Sequence, residues 1–367
     1  MPRILFNMPS QFAGHPSGVS RTAFELLDHL IGRGGFDYIL RSPWTREQLP
    51  LPLKASPLKV VTVPRPSILV FDVLRQCLTL PRYCRTEGID LVVNLDPFGS
   101  AAGGRARLMI VHDLYFRTIP EQIGRRAALT NNFIFKLMLR GNSAIVTVSD
   151  ATRRDLEYWF SEARGRATTI HSASSLQPAC NQVERSGVSG RFVLAVGNAT
   201  ANKNFGLLAE AMAAINPYCP DVALVHVGSD PNEIIATSLK KLATPVRLIR
   251  LSGIDDVSLA RLYRDASCLC VPSLYEGFCL PILEAQTSGC PVICANTSAM
   301  PEIAGSGAML FDPLNPVALA TCLKRILSEP DASETLIRSG YENVAKFSWD
   351  STARQYEELF RLLLSSN

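Results

Sequence analysis

Short apolar runs alternate with segments of helical periodicity along the whole chain, and this alternation predicts parallel sheets covered by helices. The first series of predicted strands is Arg3–Asn7, Tyr38–Leu40, Lys59–Val63, Leu91–Asn94, Arg107–His112 and Ala144–Ser149. The second series is Phe192–Gly197, Ala223–Gly228, Val246–Arg250, Cys268–Val271, Pro291–Cys294 and Ala308–Phe311. The polar stretch Asn181–Gly190 lies between the two series and is predicted to link them. The pattern therefore indicates an α/β protein with two sheets of similar size.

Length and composition agree with two globular domains. The chain has 367 residues, of which 47% are hydrophobic and 19% charged, and each half is long enough to bury a core of its own. We find no run of the roughly 18 apolar residues that a transmembrane helix needs. Because the N-terminal apolar run Arg3–Asn7 is too short for a signal peptide, we expect the protein to stay in the cytoplasm.

The cysteines indicate a reducing environment. Ten are scattered along the chain without a Cys-x-x-Cys pair, which argues against a disulfide framework and against a zinc site. Several lie in or beside predicted strands, where a free cysteine acts as a small apolar side chain. We likewise find no group of His, Asp and Glu residues with the spacing of a hard-metal site, and we expect no metal and no cofactor.

Charge is distributed unevenly. Residues 1–185 hold 23 Lys and Arg against 15 Asp and Glu, whereas the remainder holds 14 against 18. A basic half can lie against anionic lipid or an anionic acceptor. The segment Arg125–Arg140 combines four cations with a helical apolar face, which predicts peripheral contact with an anionic membrane. A buried core helix is the competing interpretation, because Phe133, Ile134, Leu137 and Met138 could all pack against the sheet.

The segment Glu276–Glu284 carries the clearest chemical signal. It follows a predicted strand, and Gly277 and Pro281 predict a loop that leads into a helix. Backbone amides from Phe278 onward can then point at a ligand, since a helix start attracts anions and hydroxyl oxygens. Glu284 is predicted in the first helical turn, where a carboxylate can accept hydrogen bonds from a sugar diol. This arrangement favours recognition of a sugar.

Three further candidates lie near the ends of predicted strands. Gly18 follows the first strand and opens a helix, which allows backbone amides to approach a phosphate, although an ordinary turn glycine remains open. His112 ends an apolar strand, where its imidazole suits a sugar hydroxyl or a reacting centre, and a satisfied core histidine is the alternative. Lys203 follows Phe192–Gly197 and is placed to meet diphosphate charge.

Several motifs together resemble the signature of retaining glycosyltransferases of family 4. They are Pro272-Ser273, Glu276-Gly277-Phe278, Leu280-Pro281 and Glu284-Ala285. The resemblance implies the GT-B architecture, with two facing Rossmann-like domains and an inter-domain cleft. It implies an N-terminal acceptor-binding domain at residues 1–184, a C-terminal nucleotide-sugar-binding domain at residues 190–349, and a C-terminal helix at residues 350–367 that packs back on the first domain.

The same resemblance implies roles for individual residues. His112 would lie beside the donor sugar, Glu276 near the hydroxyls of that sugar, and Glu284 on the ribose. With Lys203 on the diphosphate, the catalytic candidates are His112, Glu276 and Lys203. The further donor-binding candidates are Gly18 at the diphosphate, Gly253 and Ile254 at the nucleotide base, and Gly277, Phe278, Cys279 and Leu280 through their backbone.

This chain departs from the family pattern beside Lys203. The family usually supplies an arginine directly before this lysine or shortly after the strand glycine, and this chain has Asn202 and Asn198 at those places. Either amide can donate one neutral hydrogen bond to the donor. We therefore expect Lys203 to carry a larger share of the diphosphate contact.

The resemblance implies a hexosyltransferase that retains the donor stereochemistry. Mannose from GDP-mannose is our first choice of donor, and the acceptor would be a glycan or a lipid-linked sugar of surface polysaccharide or lipopolysaccharide assembly. We expect the enzyme in the cytoplasm, peripheral on the inner face of the membrane, with no nucleic-acid partner. A sugar-nucleotide epimerase of GT-B fold and a non-catalytic nucleotide-sugar-binding protein are the alternatives.

Overall fold

The computed structural model describes residues 1–8, 17–64, 69–120, 123–178 and 186–365. The chain forms two compact units, one made of Met1–Ser172 with Ser348–Asn367 and the other of Ala173–Phe347. The first part of the predicted linker, residues 181–185, lies outside the described residues, as do residues 9–16, which precede the candidate Gly18 in the sequence. In both units the strands are parallel, which confirms the predicted α/β fold class.

The N-terminal unit is built on a seven-stranded parallel sheet. Its strands are β1 (Arg3–Asn7), β2 (Asp37–Ser42), β3 (Lys59–Thr62), β4 (Leu91–Asn94), β5 (Ala106–Val111), β6 (Ala144–Thr147) and β7 (Ala167–Thr169). Its helices are α1 (Gly18–Arg33), α2 (Leu51–Ala55), α3 (Leu69–Glu87), α4 (Tyr115–Thr118), α5 (Arg125–Gly141) and α6 (Asp150–Trp159). The sequence pattern missed β7, because three residues are too few to show an apolar run.

The strand order of this sheet is β3-β2-β1-β4-β5-β6-β7. The chain moves outward from β1 to β3, crosses back and then continues outward from β4. β1 and β4 are therefore neighbours whose following connections leave in opposite directions. In sheets of this kind, ligands bind at the carboxyl ends of such a strand pair.

The C-terminal unit repeats this plan in a six-stranded parallel sheet with the order β10-β9-β8-β11-β12-β13. The strands are β8 (Phe192–Val196), β9 (Ala223–Val227), β10 (Leu248–Leu251), β11 (Cys268–Val271), β12 (Val292–Ala295) and β13 (Ala308–Phe311). The helices are α7 (Phe205–Ile215), α8 (Ile234–Lys240), α9 (Asp256–Asp265), α10 (Leu280–Thr287), α11 (Met300–Ala304), α12 (Pro316–Ser328) and α13 (Pro330–Val344). Here β8 and β11 form the pair at which the strand order reverses.

The last helix, α14 (Trp349–Ser365), belongs to the N-terminal unit. Its buried face includes Phe360, whose ring meets the edges of Phe6 and Phe36 at centroid distances of 6.2 and 6.0 Å. At its border, Arg33 forms an ion pair of 3.1 Å with the largely buried carboxylate of Glu357. The apolar face of this amphipathic helix thus covers the apolar side chains of Phe6 on β1 and of Phe36, which precedes β2.

Candidate functional site

Lys203 and Glu276 form the centre of the candidate site in the C-terminal unit. Lys203 follows β8 and Glu276 follows β11, so two neighbouring parallel strands bring together side chains that are 73 positions apart. Lys203 Nζ donates to Glu276 Oε1 at 2.7 Å, and Ser273 Oγ donates to the same oxygen at 2.6 Å. The backbone amide of Glu276 donates to Ser298 Oγ at 2.9 Å. The carboxylate is therefore held in one orientation at the carboxyl edge of the sheet.

The Lys203 side chain depends on two glycines that the sequence analysis did not single out. A Cβ at Gly197, where φ is 126°, would lie 3.3 Å from both Cε and Nζ of Lys203. A Cβ at Gly228 would lie 2.3 Å from the Gly197 carbonyl oxygen. The two strand ends can approach each other and the lysine only without side chains at these positions. Their place directly after predicted apolar strands was the signal that could have identified them.

A buried histidine supports the same turn. His226 Nε2 lies 2.7 Å from the Gly197 carbonyl oxygen, and because a carbonyl accepts, Nε2 carries the hydrogen. Burial lowers the pKa of His226 from its ordinary value, which keeps the imidazole neutral near pH 7. His226 therefore positions the turn that precedes Lys203.

Asn202 and Asn198 contact the protein itself in this structure. Asn202 Nδ2 donates to the Tyr275 carbonyl at 3.3 Å, and the backbone carbonyl of Asn202 accepts from the Leu274 amide at 2.7 Å. Asn198 Oδ1 accepts from the Ser229 amide at 3.0 Å. Asn202 thus ties the loop after β8 to the loop after β11. Donor contact by either asparagine stays a prediction.

The loop before α10 differs in detail from the sequence-based expectation. The left-handed torsion of this loop lies at Cys279, with φ 77°, and not at Gly277, the residue on which the loop prediction rested. α10 begins at Leu280 with Pro281 as its second residue, so Glu284 is the fifth residue and lies in the second helical turn instead of the first. The start of α10 and the Glu284 side chain are therefore about one turn apart along the helix axis.

Glu284 is buried, with 7% of its surface exposed. Its Oε2 accepts a hydrogen bond of 2.8 Å from the hydroxyl of Tyr263 on α9. Burial and the negative charge of Glu284 raise the pKa of Tyr263 well above its ordinary value, so the phenol remains a donor. Tyr263 thereby orients the carboxylate, and the sequence contained no signal for this pair beyond an apolar helix face.

The remaining donor candidates lie along the same edge of the C-terminal sheet. Gly253, with φ 66°, and Ile254 follow the carboxyl end of β10. The Phe278 ring is buried and meets Phe347 edge-on at 6.2 Å. Cys279 is also buried, and burial raises the pKa of its thiol well above the ordinary value.

The candidates of the N-terminal unit are His112 and Gly18. His112 follows β5, and its Nε2 donates to the Leu95 carbonyl at 2.9 Å. Enclosure by protein lowers the pKa of His112 to about 4, so the imidazole is neutral near pH 7 and its Nδ1 is an acceptor. Gly18 is the first residue of α1, which Ser17 caps, and a Cβ there would meet nothing within 4 Å.

We expect His112 to make the protein less stable in mild acid. Its pKa is about 4 in the folded state against 6.5 for the free side chain, so the unfolded state binds more protons between these values. The contribution is complete above pH 6.5 and declines as pH falls towards 4, by about 1–2 kcal/mol at pH 5. Urea unfolding at pH 7 and pH 5 checks this: His112→Asn should lose less stability than wild type, and equal losses would contradict the low pKa.

No group of three His, Cys, Asp or Glu side chains within the described ranges is placed to hold a metal ion. The nine cysteines of those ranges are free thiols. Among the described residues, the C-terminal site brings together the ammonium group of Lys203 and the carboxylates of Glu276 and Glu284 at one edge of the sheet.

Each of the two units matches a glycosyltransferase family model. Residues 16–176 match the family model "Glycosyltransferase Family 4", and residues 181–343 match "Glycosyl transferases group 1". The chain is 34% identical to O-antigen chain mannosyltransferase B of Escherichia coli over 31% of this chain and 30% of that protein. It is 39% identical to MMP alpha-(1->4)-mannosyltransferase of Mycolicibacterium hassiacum over 28% of this chain and 26% of that protein. These matches thus span less than a third of each relative.

A solved structure shares the fold over the full length. The sucrose-phosphate synthase from Thermosynechococcus elongatus superposes with a TM-score of 0.78 at 22% sequence identity, covering 100% of both chains. This likeness confirms the GT-B fold class that the sequence motifs imply.

Proposed function

We propose that this chain, which belongs to the family 4 glycosyltransferases of GT-B fold, transfers a hexose from a nucleotide sugar to a glycan or lipid-linked acceptor in surface polysaccharide assembly. The observation that carries the proposal is the Lys203–Glu276 pair at the carboxyl ends of β8 and β11. It combines a diphosphate-binding cation with a sugar-binding carboxylate at the strand pair where α/β sheets bind ligands.

The donor would bind on the C-terminal unit. Lys203 would contact the diphosphate, Glu276 the hydroxyls of the transferred sugar, and Glu284 the ribose. Lys203 is paired with Glu276 at 2.7 Å, so the diphosphate would replace this carboxylate as the partner of the ammonium group. Glu276 keeps its hydrogen bond from Ser273 and would remain oriented for the sugar.

The chemistry would proceed with retention and without a metal ion. The acceptor hydroxyl would attack the anomeric carbon on the face from which the diphosphate leaves, and a leaving phosphate oxygen would take the hydroxyl proton. The growing negative charge would be stabilised by Lys203 and by the backbone amides before α10. His112, neutral near pH 7, would accept a hydrogen bond from a sugar hydroxyl through Nδ1. The main contribution of the protein is to position both substrates.

GDP-mannose is our first choice of donor. The support is that two relatives carry mannosyltransferase names, one for the O-antigen chain and one for an alpha-(1->4) linkage. Contacts at the base, where Gly253 and Ile254 are our candidates, would select the nucleotide, and Glu276 would contact the sugar.

Incubation with a panel of GDP- and UDP-sugars tests the function. We expect release of one nucleoside diphosphate, fastest from GDP-mannose, and a product whose anomeric configuration equals that of the donor by NMR. A nucleotide sugar recovered with one inverted ring carbon would identify an epimerase instead. Tight donor binding without turnover in the presence of glycan and polyprenyl-linked acceptors would identify a binding protein.

We also propose that the N-terminal unit binds the inner face of the cytoplasmic membrane. On α5, Ile134 and Met138 are buried, as expected for a core helix, whereas Phe133 is 67% exposed and Leu137 43% exposed, and this exposed apolar face supports the proposal. The described helices include none that is long and apolar enough to cross a bilayer. The contact that we propose is peripheral.

A second helix widens the apolar surface. On α3, Phe71, Leu74 and Leu78 are 67%, 55% and 78% exposed, while Val73 of α3 packs in the same buried cluster as Ile134 of α5. The outward faces of both helices thus lie on one side of the N-terminal sheet. We call the exposed side chains Phe71, Leu74, Leu78, Leu129, Phe133 and Leu137 the apolar surface.

We expect the double variant Phe133→Ser/Leu137→Ser to lose at least half of its binding to anionic vesicles in co-sedimentation at low salt. The apolar side chains would otherwise enter the interface, while the cations of α5 attract anionic headgroups. The matched control is Leu314→Ser/Val317→Ser, which changes two exposed apolar residues of the C-terminal unit. Equal binding of wild type to neutral and anionic vesicles, or equal losses in both variants, would contradict this membrane contact.

A further inference from the structure

Arg41 is a buried cation in the N-terminal unit with little compensation. It lies one residue before the end of β2 and is 7% exposed. Its Nη1 donates to Asn7 Oδ1 at 2.9 Å. Throughout the described ranges its guanidinium forms no ion pair and no other hydrogen bond. A guanidinium has five N–H donors, so most of its capacity is unused.

The carboxylate of Asp72, whose charge acts on Arg41, is already engaged. Asp72 of α3 accepts from Arg75 Nη2 at 2.7 Å and from Gln76 Nε2 at 2.6 Å. Burial lowers the pKa of Arg41, and so does the neighbouring charge of Arg75, while Asp72 opposes this shift. Two arginines thus share one carboxylate, and the cluster carries an excess positive charge.

Neighbouring amides do not compensate for this charge either. Asn7 Nδ2 donates to Gln76 Oε1 at 2.9 Å and to Asn94 Oδ1 at 3.0 Å, so these acceptors point away from Arg41. The segments 9–16 and 65–68, which follow β1 and β3, contain no Asp or Glu in the sequence. A buried charge that its described surroundings do not balance is costly in free energy, and an anion bound beside Arg41 would lower that cost.

The position of the cluster agrees with a ligand site. Asn7 ends β1 and Asn94 ends β4, the strand pair at which the order of the N-terminal sheet reverses. Arg41 lies at the same carboxyl edge on the adjacent strand β2. This edge is where ligands bind in such sheets.

We propose that Arg41, assisted by Arg75, binds an oxyanion group on the acceptor substrate. The planar guanidinium matches a phosphate or carboxylate in a two-bond arrangement. The inference rests on the proposed function, because it assigns the acceptor of that reaction an anionic group. It adds that the acceptor is a phosphorylated or acidic sugar.

Titration with inorganic phosphate tests this site directly. Lys203→Gln serves as the starting protein, so that the donor site does not contribute, and binding is followed by NMR of the arginine side-chain N–H groups at constant ionic strength. We expect saturable binding that is weakened at least tenfold when Arg41→Gln is added. The control Arg107→Gln removes a partly buried arginine whose Nε and Nη1 already donate to the Gly141 and Gly103 carbonyls, and it should leave phosphate binding unchanged.

A parallel titration with acetate distinguishes the two sources of charge. Tighter binding of phosphate supports a phosphorylated acceptor, whereas equal or tighter binding of acetate supports a carboxylate-bearing sugar. Absence of saturable binding by both anions, or equal binding in the Arg41→Gln protein, would overturn the proposal. Because the readout is binding, it stands apart from glycosyl transfer, whose failure would show in the nucleotide-sugar panel.

Stability without ligand supplies a second criterion. A purely structural arginine should destabilise the protein when removed, as we expect for Arg107→Gln. Removal of an uncompensated buried charge should leave the thermal midpoint of Arg41→Gln equal to or above that of wild type. A clear decrease in the midpoint would mean that Arg41 serves the fold, and would count against an anion site.

Discussion

Lys203→Ala is expected to lower nucleotide-sugar turnover by about 10²–10³-fold, the range for loss of one group that stabilises charge in a transition state. Lys203 is the cation at the β8–β11 edge, and its Nζ lies 2.7 Å from Glu276. Without it the diphosphate would face the Glu276 carboxylate with no ammonium group between them. Nucleoside diphosphate release and its dissociation constant measure the two consequences, slower transfer and weaker donor binding.

Lys59→Ala is the matched control for this variant. Lys59 pairs with Glu87 at the same Nζ–Oε distance of 2.7 Å, but its side chain is 52% exposed and lies in the N-terminal unit. Loss of a surface ion pair costs little, so its turnover should equal that of wild type. Lys203→Arg should recover part of the activity because it restores the charge. Unchanged turnover in Lys203→Ala would remove the diphosphate from this edge.

Glu284→Ala is expected to weaken nucleoside diphosphate binding by roughly ten- to hundredfold, since hydrogen bonds to a charged group contribute about 1.5–3 kcal/mol. Its carboxylate is buried and oriented by Tyr263 at 2.8 Å, so a ribose diol would meet an acceptor that needs no reorganisation. Isothermal titration of the nucleoside diphosphate measures the change.

Tyr263→Phe separates contact from orientation. It keeps the carboxylate but removes the hydroxyl that donates to Glu284 Oε2, so we expect a smaller loss of affinity than in Glu284→Ala. Thermal midpoints of both variants show whether each protein is folded at the titration temperature. Wild-type affinity in a folded Glu284→Ala protein would exclude the ribose role.

The local sequence pattern was sufficient to predict the described strands of both sheets except β7. Apolar runs such as Leu91–Asn94 and Cys268–Val271 are strands with the predicted bounds, because strands buried on both faces need nearly continuous apolar residues. Pro281 likewise indicated a helix start, since its fixed φ and missing amide suit the first turn. The motif between Glu276 and Glu284 predicted a sugar site, because carboxylates and the amides before a helix are groups that can bind sugar hydroxyls.

Tertiary structure decided what depends on residues distant in sequence. The contact of Lys203 with Glu276 follows from the pairing of β8 with β11. This pairing could not be predicted from the sequence, because the apolar pattern of a strand does not indicate which strand lies beside it. The left-handed torsion fell on Cys279 because the whole loop must join β11 to α10, and Tyr263 reaches Glu284 from a different helix. On α5, helical spacing alone placed Phe133 and Ile134 in one apolar group, and only packing against the sheet buried the second while leaving the first exposed. Periodicity reports which side chains share a face, whereas burial depends on which surface that face meets.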